Sequence, residues 1–367
     1  MSPHQFDIQL VAVIVAASCS IPGAFLVLRR MSMMTDAISH SILLGIILAF
    51  FLVKDLSSPI LIIGAAASGV LAISLIEAVN RSRLVKKDAS IGIVFPFLFS
   101  VAVILLSKYA RNVHIDTHSV LLGEIAFAPF DRFILSGMDM GPKSAYVMGS
   151  ILLLNLFFIS FFYKELKVST FDESFASSIG FRPRLIHYLL MAVVSLTCVG
   201  AFDAVGSVLV IALIVIPPCC AYLLTDSLSR MILLSVVFGI SAAVSGFWVA
   251  NWLDVNIAGS MAFVCGLFFL AVFLFAPRRG LLGIMREKRR QRMDFAEASL
   301  LVSLYNQEKG EAVKNHPDSR GMFRSADFAS KVVGFLKRKG EIAVTGGELF
   351  LTEKGRDRAR MTMERRY

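Results

Sequence analysis

The sequence has little charge and little cysteine, and it lacks the motifs of nucleotide hydrolysis. Only 17% of its 367 residues are charged and 56% are hydrophobic, whereas a soluble domain is about 25% charged and under about 50% apolar. This balance excludes an ordinary globular enzyme and a disordered chain. The five cysteines show no C-x-x-C spacing and are too few for a disulfide framework. Because no G-x-x-x-x-G-K-[ST] loop, nucleophile elbow or H-E-x-x-H motif occurs, we expect no enzymatic activity.

Long apolar runs dominate the sequence instead. A bilayer-spanning helix needs about 20 mostly apolar residues, and nine runs come close to this requirement: 8–28, 31–53, 59–79, 90–107, 144–163, 185–202, 205–224, 231–250 and 255–276. The stretch 120–137 is moderately apolar but carries Glu124, Asp131 and Arg132, which favours a re-entrant or interfacial segment over a tenth span. The sequence therefore predicts an all-α polytopic membrane protein with about nine transmembrane helices, and with eight and ten as the limits.

Basic residues at the span ends indicate the orientation. With nine spans, the first, third and fifth connections and the chain after the last span lie on one side, and their basic residues include Arg29, Arg30, Arg81, Arg83, Lys86, Lys87, Lys164, Lys167, Arg182 and Arg184. Because cytoplasmic loops carry an excess of Lys and Arg, we expect the N-terminus outside and the C-terminus in the cytoplasm. The long loop 108–143 on the other side also carries four basic residues, so the bias is imperfect.

The formal net charge of +10 is unevenly distributed. Residues 1–277 hold 16 basic and 15 acidic residues, and residues 278–367 hold 21 and 12. The chain therefore divides into a transmembrane domain (1–277), a basic linker (278–293) and a small cytoplasmic domain (294–367). The basic excess belongs to the tail and not to a transport path.

Asp36 and His40 are ionisable residues within the second apolar run. They are four residues apart, so a helix places them on one face, and His40 lies about 15 Å beyond Arg30, near the bilayer midplane. Ionisable groups at this depth are costly and indicate function. A carboxylate and an imidazole suit Zn²⁺ or Mn²⁺, although another helix, a second chain or water must complete the site. The alternative is a helix start with Asp36 as the cap and His40 bonded to a neighbour.

Other polar residues support weaker predictions. His114, Asp116 and His118 alternate in the outer loop, so an extended chain would point all three to one side, where they could collect a cation; a solvated loop is the alternative that spacing alone favours. Glu77 and His187 lie near span ends, where snorkelling is easy, and Asn155 suits a helix–helix hydrogen bond. We assign these last three a structural role.

Four blocks of the sequence resemble those of bacterial ABC-type zinc/manganese/iron permeases. The blocks are LRRMSMMTDAISHSILLGI, DASIGIVFPFLFSVAVILLS, HIDTHSVLLGEI and VGSVLVIALIVIPPCCAYLLTDSL. The resemblance implies an inner-membrane permease that works as a homodimer or with a sister permease. It further implies a separate cytoplasmic ATPase and an extracytoplasmic binding protein that delivers the metal. Asp36 and His40 match the residues that contact metal in this family, and two copies related by a two-fold axis would supply four ligands.

The fifth connection, KELKVSTFDESFASSIGFRPR, resembles the helix that docks such permeases into the ATPase. Asp172, Phe175, Ala176 and Gly180 fit this pattern, and the stretch 171–180 is amphipathic. The alternative is an ordinary surface helix.

The tail shows the element order helix, helix, hairpin, helix, with Asp294 as the expected cap of the first helix and Gly346-Gly347 in the hairpin turn. LTEKGRDRAR resembles the winged-helix, DNA-binding part of the iron-dependent, diphtheria-toxin-type repressors, whose weak metal sites are not evident here. Binding of DNA phosphates, binding of anionic lipid through 286–292 and a regulatory protein contact are the alternatives, and we favour the last.

The sequence as a whole predicts the permease subunit of an ATP-driven importer for a divalent transition metal, without a permanently bound cofactor. An ABC permease for an iron chelate or vitamin and an ion-coupled secondary metal carrier are the alternatives. A carboxylate and an imidazole serve zinc, manganese and iron alike, so the residues do not choose the metal.

Overall fold

The structure, a computed structural model, describes residues 2–54, 60–82, 84–109, 125–135, 138–277, 279–308, 326–345 and 348–364. The chain forms two compact units, Met1–Ala276 and Pro277–Tyr367, which we call the membrane unit and the tail.

Nine helices among the described residues are long and apolar enough to cross a bilayer. They are α1 (Pro3–Leu28), α2 (Met33–Val53), α3 (Ile60–Arg81), α4 (Lys87–Tyr109), α5 (Lys143–Phe161), α8 (Pro183–Val205), α9 (Ser207–Leu224), α10 (Leu228–Leu253) and α11 (Ile257–Phe275). Two short helices, α6 (Tyr163–Phe171) and α7 (Glu173–Ser178), lie between α5 and α8. Each predicted apolar run falls on one long helix, which confirms the prediction of about nine transmembrane helices.

The charged stretch before α5 forms a hairpin and no tenth span in its described part. A single 3₁₀ turn at Ile125–Phe127 is followed by the antiparallel strands β1 (Arg132–Leu135) and β2 (Met138–Pro142). The Arg132 guanidinium lies 3.5 Å from the Asp7 carboxylate at the start of α1. Asp131 is 3.9 Å from Lys143 Nζ, so both described charges of this stretch, Asp131 and Arg132, pair with an oppositely charged side chain, whereas Glu124 lies outside the described residues.

Helix α1 lies at the centre of the membrane unit, where it packs against α5, α8, α9 and α10. Small residues let the backbones approach closely: a Cβ atom on Gly23 would collide with the carbonyl oxygen of Ile214 in α9. A buried hydrogen-bond network adds a polar link, because Asn155 Nδ2 donates to the Ser18 carbonyl oxygen at 3.0 Å and to Thr197 Oγ1 at 3.1 Å. Asn155 thus joins α5 to α1 and α8.

A second packing group carries the candidate site. Helix α2 packs along α3 and α4, and α3 packs against α8. The contact between α2 and α3 is close because Gly45 faces the carbonyl oxygen of Gly64. A movement of α3, or of α8 against α3, would therefore also displace α2.

The tail consists of α12 (Leu281–Glu308), α13 (Ala326–Arg338), β3 (Ile342–Thr345), β4 (Glu348–Leu351) and α14 (Glu353–Glu364). Its strands pair antiparallel, and its core consists of Ala296, Leu301, Tyr305, Val332, Leu336, Ile342, Leu351 and Ala359. The expected cap Asp294 was placed wrongly: α12 begins at Leu281 and passes through Asp294, since the basic segment is rich in Arg, Lys, Glu, Gln and Met, which favour helix. The winged-helix assignment stays a prediction, and Gly346-Gly347 lies outside the described residues.

Candidate functional site

Asp36 and His40 lie on one face of α2, as their spacing predicts. The His40 Nε2 atom is 3.5 Å from Asp36 Oδ1. The residue at the N-cap position of α2 is Ser32, and Asp36 lies in the first turn, so the structure does not place Asp36 as the cap. An acidic group in this turn is favoured by the helix dipole.

The pair faces an open side of the single chain. The side chain of His40 is 36% exposed and that of Asp36 is 41% exposed, whereas the intervening residues Ala37, Ile38 and Ser39 are buried. An exposed ionisable pair on an apolar helix requires a polar ligand or a partner surface, because contact with lipid is costly for both groups.

Two aromatic rings of α4 enclose the imidazole of His40. The Phe95 ring stacks on it with the centroids 5.3 Å apart, and the Phe99 ring meets it edge-on at 6.1 Å. The sequence pattern alone gives these phenylalanines no role. Their spacing of four residues on α4 was the available signal, but it does not reveal which helix they face.

One chain offers an incomplete ligand set. No group of three or more His, Cys, Asp or Glu side chains suited to a metal occurs among the residues that the structure describes. His114, Asp116 and His118 lie outside those residues. Asp36 and His40 therefore provide two donors, and further donors must come from elsewhere.

The segment between α5 and α8 forms a compact protrusion around α7. The Asp172 carboxylate accepts a hydrogen bond from the Phe175 amide at 2.8 Å and caps α7. At the other end Gly180 adopts a φ of +90°, and the Phe181 amide donates to the Ala176 carbonyl at 3.0 Å, as in a Schellman motif. Ala176 is buried, whereas Phe175 is 54% exposed. The four residues predicted for ATPase docking thus form a capped turn that displays one aromatic ring.

A polar cluster lies near one end of α3 and α8, and the sequence does not reveal it as a unit. It lines a cavity of about 610 Å³ and includes Arg29, Glu77, Arg81, Ser169, Thr170, His187 and Tyr188. Burial lowers the pKa of the Arg29 guanidinium from its usual value, and the nearby Glu173 carboxylate opposes this shift. No local pattern joins these residues, because Glu77 and His187 are far apart in the sequence.

Comparison with known proteins places the membrane unit in a defined group. Residues 4–276 match the family described as ABC 3 transport family. The manganese transport system membrane protein MntD of Bacillus subtilis (strain 168) is 46% identical over 270 residues, which cover 74% of this chain and 91% of that protein. The structure described as PsaBC from Streptococcus pneumoniae in complex with Fab is 30% identical, with a TM-score of 0.64, and the match covers 78% of this chain and 96% of that chain.

One relative also matches much of the tail. The zinc transport system membrane protein TroD of Treponema pallidum (strain Nichols) is 42% identical over 353 residues, which cover 95% of this chain and 96% of that protein. The tail therefore has a counterpart in a full-length relative, whereas a match of 270 residues has about the length of the membrane unit alone.

Proposed function

The chain belongs to the ABC 3 transport family, and from this premise we propose that it is the membrane permease subunit of an ATP-driven importer for zinc, manganese or iron. Relatives of this chain are named for zinc and manganese transport. The observation that carries the proposal is the Asp36–His40 pair, which lies within the family match and inside an apolar helix with 3.5 Å between the two side chains.

The transported ion binds between the Asp36 carboxylate and the His40 imidazole during its passage. Oxygen and nitrogen donors suit Zn²⁺, Mn²⁺ and Fe²⁺. Because the pair opens to one side of the chain, a second permease copy or a sister permease that faces it completes the ligand set. This arrangement gives a site that forms and opens as the two permeases move, as alternating access requires.

Energy and cargo come from other subunits in this proposal. The protrusion that carries Phe175 docks into a cytoplasmic ATPase, and an extracytoplasmic binding protein delivers the ion near the loop with His114, Asp116 and His118. The orientation is N-terminus outside and tail in the cytoplasm of a bacterial cell. The basic residues of the first, third and fifth connections support this orientation.

The tail has a regulatory or protein-contact role rather than a DNA-binding one. Apolar side chains on its surface support this assignment: Phe335, Val344 and Phe350 are exposed. The assignment rests on these apolar side chains and not on charge, because the 21 basic and 12 acidic residues of 278–367 would also suit contacts with phosphates.

Uptake of labelled metal in cells tests the site. We expect Asp36→Asn and His40→Gln to abolish accumulation of labelled Zn²⁺, Mn²⁺ or Fe²⁺, because each variant keeps the side-chain size but weakens a ligand. Leu52→Ala is the matched control, since Leu52 is an exposed residue of the same helix. Wild-type uptake in both site variants, at equal protein levels in the membrane, contradicts the site. Uptake of an iron chelate with no uptake of the free ions supports a chelate permease instead.

A further inference from the structure

We propose that Arg29 is a positioning residue that transmits movement of the ATPase-docking protrusion to α3 and α8. The inference rests on the proposed function, because it assumes that α6 and α7 receive the force of the ATPase. It concerns a contact network to which neither the sequence pattern nor the similarity to other permeases gives a function.

The first step is the bond between Arg29 and the protrusion. Arg29 follows the last residue of α1. Its Nε atom donates to Thr170 Oγ1 at 3.1 Å, and its Nη2 atom donates to Ser169 Oγ at 2.9 Å. Both hydroxyls lie in the last turn of α6, directly before the Asp172 cap of α7. One guanidinium thus holds the base of the protrusion through two hydrogen bonds.

The second step connects Arg29 to α8. Its Nη1 atom lies 3.2 Å from His187 Nδ1. Because a guanidinium only donates hydrogen bonds, Nδ1 must accept, and the proton of the neutral imidazole must be on Nε2. That assignment follows from the network of donors and acceptors. It directs the Nε2 proton towards the Glu77 carboxylate, whose Oε1 atom Nε2 contacts.

The third step reaches α3. The Glu77 carboxylate contacts His187 Nε2 through Oε1 and accepts a hydrogen bond from the Tyr188 hydroxyl, which lies 2.7 Å from its Oε2 atom. Arg81, one turn further along α3, is 3.4 Å from the same oxygen. The Glu77 carboxylate is therefore held from its own helix and, through two adjacent side chains, from α8.

The chemistry of the cluster favours a mechanical link over a second cation site. The required tautomer leaves no free lone pair on His187, and four arginines line the cavity (Arg29, Arg30, Arg81 and Arg184) against two carboxylates, Glu77 and Glu173, so the cavity keeps an excess of positive charge. This charge opposes entry of a divalent cation. What remains is a continuous chain of polar contacts from α6 through the end of α1 to α8 and α3.

The position of this chain of polar contacts gives it a role in coupling. Without Arg29, a displacement of α7 would be absorbed where α6 meets α7, because the Asp172 backbone there is extended and non-helical. With Arg29, the same displacement pulls on α8 and α3. Helix α3 packs along α2, which carries Asp36 and His40.

The test is the number of metal ions imported per ATP hydrolysed by the whole transporter in proteoliposomes. We expect Arg29→Gln to lower this ratio about 5-fold or more, with the KM for metal unchanged because Asp36 and His40 are intact. Arg29→Lys keeps the charge but cannot span three acceptors, so its ratio should be intermediate. Thr170→Val removes one acceptor and should act in the same direction. Lys167→Gln, an exposed change on α6, should match the wild type.

A wild-type ratio in Arg29→Gln, with the complex still assembled, would overturn the proposal. If uptake and ATP hydrolysis both stay at the wild-type level, the link is not used. If both rates fall by the same factor, the ratio is unchanged and Arg29 has a structural role only.

A second measurement separates this proposal from the function itself. Hydrogen exchange of the assembled complex reports whether ATP changes the protection of amides in the last turn of α3. We expect that change in the wild type and not in Arg29→Gln, and its persistence in the variant refutes the link. This readout needs no metal, so a wild-type complex that hydrolyses ATP but imports no metal contradicts the proposed function alone.

Discussion

The imidazole of His40 lies stacked on the ring of Phe95, with the ring centroids 5.3 Å apart and the planes inclined by 24°. The Phe99 ring contacts the same imidazole from the side. A ring that is held on two sides loses rotational freedom, so His40 Nε2 stays directed at Asp36. The aromatic pair also closes one approach to His40, which leaves the open side of α2 for a ligand.

Loss of this aromatic support should weaken metal binding. We expect Phe95→Ala to raise the KM for metal uptake by about 10-fold, within the range typical for partners that orient a metal ligand, because the freed imidazole must be ordered again on binding. Phe97→Ala is the matched control, since Phe97 lies on the same helix and is exposed. Equal effects of the two variants on KM would show that the stacking on His40 is not the cause.

Close contact between α2 and α3 should make Gly45 intolerant of a side chain. The added Cβ of Gly45→Ala would collide with the Gly64 carbonyl oxygen, and such overpacking costs about 1–3 kcal/mol. We expect a lower melting temperature of the purified protein in detergent. Gly266→Ala on α11 is the control, because nothing lies within 4 Å of the added Cβ. An equal fall in both variants would contradict the packing explanation.

Much of the fold follows from the sequence because the length of each apolar run sets the length of the membrane helix that it forms. Each apolar run predicts a helix by its composition, and the turn between α8 and α9 is tight because Gly206 adopts a φ of +83°. The hairpin β1–β2 was not predicted, since its strands lack a clear alternation. At Asp294 the sequence predicts a helix start that the structure does not have. A good capping residue does not begin a helix when the residues before it also favour helix.

The sequence predicts the two ionisable residues of the candidate site but not the side chains that other helices bring to them. Asp36 and His40 share one helix face, so the spacing of four residues is sufficient to place them together. Phe95 meets His40 only through the packing of α4 on α2, and Glu77 meets His187 only through the packing of α3 on α8. Such contacts depend on helix rotation and depth, which a single sequence does not encode in any local pattern.

Acid should loosen the contact between α12 and α14 in the tail. The hydrogen bond from Arg356 lowers the pKa of the Glu308 carboxyl from its usual value. Because the folded pKa is below the unfolded value of about 4.3, the pair adds stability at neutral pH and loses it as pH falls through the folded pKa. Hydrogen exchange of the full chain should show protection near Glu308 that falls in acid, with a smaller fall in Arg356→Gln. The same fall in both proteins would assign the acid effect to other carboxyls.

The Glu297 carboxylate should contribute more to the stability of the tail than Glu308 does. Its side chain is 1% exposed and accepts from Lys339 Nζ at 3.0 Å and from Arg358 Nη2 at 3.2 Å. Arg358 also binds the Glu341 carboxylate. Glu297→Gln therefore removes the carboxylate that Lys339 and Arg358 share, and Arg358 keeps Glu341. Because the cations are partly exposed and water screens them, we expect a loss of about 1–3 kcal/mol, below the cost of breaking a fully buried pair.

Hydrogen exchange of the full-length protein measures this loss as reduced protection in α12, α13 and α14 with the membrane helices unchanged. Glu308→Gln is the matched control, because its partner Arg356 also lies in α14 but the pair is more exposed. Its effect should be clearly smaller. Equal loss of protection in the two variants would mean that the buried network around Glu297 contributes no more than a surface pair.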